Sequence, residues 1–151
     1  MTKTLLDPTY ANETNARIAK LTPASERKWG RMTAGQTMAH CIIGLETAMG
    51  DVKPPRVFIG YILGPLVKGL ALKDDAPMKK NSPTAPNMKM RADHDLEKEQ
   101  ARLMTYVNRF VAGGRSGCTT HPHPFFGRLT PDEWGVLMYK HLDHHLRQFG
   151  V

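Results

Sequence analysis

Apolar residues recur along this chain at helical rather than alternating spacing, and the punctuation between the runs predicts four main helices. Tyr10, Thr14, Ile18 and Leu21 follow Asp7-Pro8, an N-cap acceptor and then a proline where no N–H is needed. This predicts a first helix to about Leu21. A polar connection follows, with Trp29 near its end placed to anchor it to the core. Thr33-Ala-Gly-Gln36 then forms a capping box, in which each end residue satisfies an orphan donor of the first turn. From Met32 to Leu45 there is no charged residue, so the second helix should be covered on most sides. Gly50 and Pro54-Pro55 end it.

Residues 57–72, VFIGYILGPLVKGLAL, are the most apolar stretch, broken by glycines, Pro65 and Lys68. They read as a short interrupted helix, a buried segment or lid rather than a membrane span. Residues 73–92, rich in proline, lysine, asparagine and methionine, read as a long loop. A third helix is expected from about Asp93 to Ala112, with Leu96, Leu103, Val107, Phe110 and Val111 on its apolar stripe. Asp93 and Asp95 suit its N-terminus and Arg109 its last turn, as the helix dipole favours. Thr130-Pro-Asp-Glu133 is a second capping box and opens a fourth helix that runs to about Gln148. There is no convincing strand, internal repeat or domain boundary. The expectation is an all-α four-helix bundle, one domain over residues 1–151, with a long loop or short extra helix between the second and third main helices.

With 151 residues, 40% of them hydrophobic, the chain can bury a core without disulfides. Two cysteines, Cys41 and Cys118, fit a reducing compartment. Residues 1–20 hold no apolar run of the kind that directs secretion, so a cytoplasmic protein without a membrane segment is expected. The net charge of +7 raises nucleic acid as a partner. Basic and acidic residues number 12 and 7 over residues 1–80, and 9 and 7 over residues 81–151, and they make no helix-long basic stripe. A solvated surface accounts for the charge better, and an anionic small substrate drawn to a cleft is a second use of it. No pair of carboxylates falls on an inward face, and Gly60 and Gly64 lack the context of a phosphate loop.

Seven histidines remain, unevenly placed. With about 100° per residue and Trp134 as zero on the fourth helix, Met138, Leu142 and Phe149 lie at about 40°, 80° and 60°. His141 falls at about −20° and His145 at about +20°, inside that apolar face, while Lys140, Asp143 and Arg147 lie opposite. A desolvated imidazole pair is costly unless its nitrogens are occupied. Two histidines one turn apart can reach one cation. The alternative is a backbone carbonyl for one ring and a buried water for the other. On the second helix His40 shares a small polar face with Thr33, Gln36, Gly44 and Thr47, which suits a cavity wall. His40, His141 and His145 together would make a three-histidine metal site with open positions, the catalytic rather than the sealed pattern. His144 is an alternative to His145 if the helix is rotated. His121 and His123 either line the metal cleft or serve as a proton shuttle, or they belong to a structured loop capped by Phe125 and Phe126.

Trp29-Gly-Arg-Met-Thr-Ala-Gly-Gln36 with Met38-Ala-His40, and Lys140-His-Leu-Asp-His-His-Leu-Arg-Gln148, resemble the DinB/YfiT-like superfamily. The segment His-Pro-Phe-Phe-Gly-Arg-Leu-Thr-Pro-Asp-Glu-Trp at 123–134 resembles an uncharacterised branch of it. The resemblance implies a four-helix bundle holding a divalent metal, nickel or zinc, on His40, His141 and His145. It also implies a low-molecular-weight thiol as co-substrate, with thiol S-transferase or isomerase chemistry, and a homodimer. The metal chemistry by itself admits a transferase or a hydrolase, acting on a small substrate that is anionic or thiol-linked. The fourth-helix ending, His145-Leu-Arg-Gln148, departs from the superfamily's common His-Arg-Gly-Gln. The reading from another class is a non-catalytic basic helical module that binds nucleic acid or a protein partner.

Overall fold

The computed structural model describes residues 2–151, which form five helices and no strand. Helix α1 spans Pro8–Ala19, and the Asp7 carboxylate accepts from the Thr9 amide to cap it. Helix α2 spans Ala34–Met49 with both arms of its capping box made, and Gly50, at φ 79°, closes it in the left-handed conformation. Helix α3 spans Phe58–Leu72 and α4 spans Leu96–Gly113. Helix α4 starts later than the Asp93 boundary because Asp95 is its N-cap, accepting from Lys98 N at 2.8 Å. Helix α5 spans Pro131–Gln148, with the Thr130–Glu133 capping box complete.

Helices α1 and α2 each pack on both α4 and α5. The side chains they enclose include Ile18, Met38, Leu45, Leu103, Phe110, Trp134 and Leu142, all buried. The Trp134 indole N–H lies buried in this core without a hydrogen-bond partner among the described residues, but the threonine hydroxyls find theirs. The buried hydroxyls of Thr14, Thr37 and Thr47 each donate to the carbonyl four residues back. Arg109 does not serve the end of α4. It forms a two-pronged ion pair with Asp51, which holds that carboxyl below its ordinary range.

Residues 57–72 overturn the expectation of a broken, buried segment. Helix α3 runs unbroken through Pro65, and of its residues only Gly60 and Gly64 are buried. A Cβ at either glycine would run into the Phe125 carbonyl oxygen, so the missing side chains let the helix lie directly on the 121–127 loop. The remaining face turns outward, with Phe58 79% and Leu66 68% exposed, together with Tyr61, Ile62 and Leu70. Apolar content alone does not say which side of a helix finds a wall. Here the glycine side found it. Lys140 Nζ donates to the carbonyls of Ala71 (2.6 Å) and Asp74 (2.9 Å), which ties the C-terminal end of α3 to α5. No helix among the described residues is long and apolar enough to cross a membrane.

Between α3 and α4 the chain forms a mostly exposed strap over residues 73–95, with one 3-10 turn at Pro86–Met88. Lys80 Nζ lies 4.3 Å over the Trp29 ring, and Gln36 Nε2 donates to the Ala92 carbonyl at 3.0 Å. These contacts lay the strap across the N-terminal half of α2, above His40.

Candidate metal centre

The uncharged middle of α2 and the inward face of α5 bring three imidazoles together. His40 and His145 are buried and His141 is partly buried, and one ligand nitrogen of each lies within 4.8 Å of the others. His40 Nε2 and His141 Nε2 are 2.9 Å apart, and the His145 ring stands edge-on to both at 4.7 and 4.8 Å between centroids. Two imidazole nitrogens each about 2.0–2.1 Å from one ion stand about 2.9–3.4 Å apart, so the His40–His141 spacing suits shared coordination.

The far nitrogens decide which lone pairs are free. His40 Nδ1 lies 2.9 Å from the Met88 carbonyl oxygen, which can only accept, so that nitrogen carries the proton. The His40 lone pair is therefore on Nε2, facing His141. His145 Nδ1 lies 3.0 Å from Gln148 Oε1, and Gln148 Nε2 donates to the Trp29 carbonyl at 2.6 Å. His145 thus also keeps its Nε2 lone pair for the cluster. Hydrogen bonding of the outer nitrogen to a carbonyl or carboxamide is the usual support of a metal-bound histidine. His141 is held differently. Its Nδ1 and Cε1 lie against Gly44, where a Cβ would approach to 3.0 and 3.2 Å. Gly44 gives the ring its room.

Burial and the neighbouring rings keep all three neutral. Desolvation dominates at each, pushing His145 down to about 3 and His141 well below its ordinary value, and lowering His40. Neutral imidazoles with directed lone pairs are the form that binds a transition ion. The donor set therefore fits a divalent cation, and His40, His141 and His145 could hold one.

The other histidines are placed elsewhere. His144 turns to the Trp29 ring, at 5.5 Å between centroids, and does not take the place of His145. His123 Nδ1 accepts from the amides of Phe125 and Phe126, both at 3.1 Å, and its ring lies against Phe126 and Trp134. Burial and the Arg56 guanidinium depress its pKa to about 4. His121 Nε2 meets the Pro54 carbonyl at 3.2 Å, and His94 pairs with the buried Glu99. The loop reading of His121 and His123 is the one that fits these contacts. Cys41 is buried in the core, and burial pushes its thiol far up.

Helical angles placed the three rings, but not their supports. The Met88 carbonyl lies in a strap with no periodic pattern, so no sequence signal marks it. Gln148 was legible only as the residue three after His145, and Gly44 only as a small residue on the face of His40.

Residues 1–150 match the family described as "Protein of unknown function (DUF1569)", and the chain belongs to that family. No curated protein matches the chain, and no solved structure does.

Proposed function

We propose that this member of the DUF1569 family is a metal-dependent enzyme on a DinB-like four-helix bundle, holding one divalent ion, nickel or zinc, on His40, His141 and His145. The observation that carries the reading is the direction of the lone pairs. Two of the three imidazoles have their outer nitrogens on carbonyl oxygens, the Met88 backbone oxygen and the Gln148 amide oxygen, and their Nε2 atoms converge with the third ring. The chemistry a divalent ion supplies there is Lewis acidity, which brings the pKa of a water or thiol ligand toward neutrality. The chain contributes a neutral ligand set at buried positions of α2 and α5, with partial solvent access beside His141. Three protein ligands leave room for a substrate group, which favours a catalytic site over a sealed one. A thiol S-transferase or a hydrolase acting on a small anionic substrate is the activity that fits, with a low-molecular-weight thiol as co-substrate.

The test is elemental analysis after metal-free purification and re-addition of nickel or zinc. One equivalent is expected, and it should be lost on His141→Ala. Under a tenth of an equivalent, or uptake unchanged in that variant, overturns the reading. Thiol-transfer and ester-hydrolysis assays on the loaded protein then separate the two reaction classes.

The homodimer is assigned to the outward face of α3. Seven large apolar side chains are exposed there. At roughly 100 Å² each, they approach the roughly 800 Å² per partner of a standard interface. The one charged side chain of the helix, Lys68, is already paired with Glu133 at 3.0 Å. Light scattering at micromolar protein should give twice the chain mass, and a monomer at that concentration overturns the assignment.

A further inference from the structure

Trp29-Gly30 and His145-Leu-Arg-Gln148 are far apart in the chain, yet one carboxamide joins them. We infer that Gln148 is a positioning residue that fixes the tautomer and direction of His145, and that Trp29-Gly30 is built to hold Gln148. A peptide carbonyl can only accept a hydrogen bond, so the Gln148 amide nitrogen must face the Trp29 oxygen, 2.6 Å away. The amide oxygen is then left for His145 Nδ1 at 3.0 Å, and that nitrogen must carry the proton. The Nε2 lone pair of His145 is thereby directed at His40 and His141. Each step follows from the one before, and the first has no alternative because the backbone oxygen has no second role.

Burial makes the chain of bonds compulsory. Gln148 is 3% and His145 7% exposed, so water does not stand in for either partner. The closeness of the amide nitrogen also explains the glycine. Gly30 sits at φ 82°, and a Cβ there would strike Gln148 Nε2. The two remaining rings are supported from other elements. His40 relies on the Met88 carbonyl of the exposed strap, and His141 Nδ1 faces Gly44. His145 is the ligand whose direction is set by a buried side chain of its own helix.

The tautomer claim concerns the metal-free chain. Its consequence for binding rests on the metal reading proposed above. Long-range proton–nitrogen correlation spectra of the full-length, 15N-labelled, metal-free protein at pH 7.5 read the tautomer directly. Wild type should show His145 in the Nδ1–H form alone. Gln148→Leu and Gly30→Ala should each give a mixture or the Nε2–H form. Cobalt(II) affinity in both variants should fall about 10- to 100-fold with an altered ligand-field spectrum, the range typical of lost supporting bonds. A fold-supporting role alone would move the melting temperature without moving the tautomer. His145 in the Nε2–H form in wild type, or a Gln148→Leu protein that keeps both tautomer and cobalt spectrum, overturns the inference. Wild type with the Nδ1–H tautomer that takes up no cobalt overturns the metal reading and leaves the Gln148 lock supported.

Discussion

Acidifying the metal-free protein from pH 7.5 to pH 5 should remove a large part of its stability, because it folds around imidazoles that cannot accept protons. An unfolded histidine titrates near 6.5. In the folded chain His145 is pushed down to about 3 and His123 to about 4, each chiefly by burial. Folded pKa values below the unfolded one mean that the unfolded state binds more protons between the two. The full stability is therefore present above pH 6.5 and declines as pH falls, down to about 4 for His123 and about 3 for His145. At pH 5 the gap to 6.5 is 1.5 units, worth about 2 kcal/mol for each histidine that stays neutral. His145 and His123 together give about 4 kcal/mol, and His141 and His40 shift in the same direction. Against a domain stability of about 5–15 kcal/mol this is decisive. Urea unfolding followed by helical circular dichroism at the two pH values measures it. His145→Gln should lessen the loss by about 2 kcal/mol. Loading with zinc should raise the stability at both pH values without lessening the acid loss, since the metal keeps the same nitrogens free of protons in the folded state. A stability change under about 1 kcal/mol between the two pH values, or an identical loss in His145→Gln, would refute the reasoning.

Three further outcomes follow from the packing. Gly64→Ala drives a Cβ into the backbone at Phe125, where nothing flexible can yield, and should cost at least about 2 kcal/mol in thermal melts. Leu66→Glu, on the exposed face of α3, should leave the unfolding free energy within about 0.5 kcal/mol at the monomer level yet abolish the dimer seen by light scattering. Cys41 is buried with its thiol pushed far up, so a disulfide reagent should modify at most Cys118 in the native protein at pH 8 and both thiols once urea is added.

Much of the helical plan was legible because its signals are local. Both capping boxes, the Asp7-Pro8 start and the Gly50 stop are satisfied within a few residues of themselves, and the structure keeps each of them. The inward direction of His141 and His145 was legible for a related reason, since a helix with one apolar face fixes every other direction by its 3.6-residue period. His40 could be placed on a small polar face of α2, but which helix that face would meet could not.

By itself, then, the sequence determined roughly where four of the five helices run and which side chains share a face, and it set His141 and His145 on the inward face of α5. Tertiary structure decided which nitrogens of those histidines are free. The Met88 carbonyl, the Gln148 amide and the Trp29 carbonyl become neighbours only when the strap, α5 and the turn before α2 are folded together. It also decided that α3 shows its apolar face to the outside. Periodicity states which side chains share a face, but the backbone approach at Gly60 and Gly64 chose the face that was buried. Local propensities act over a few residues, whereas lone-pair direction and burial depend on partners far away in the chain.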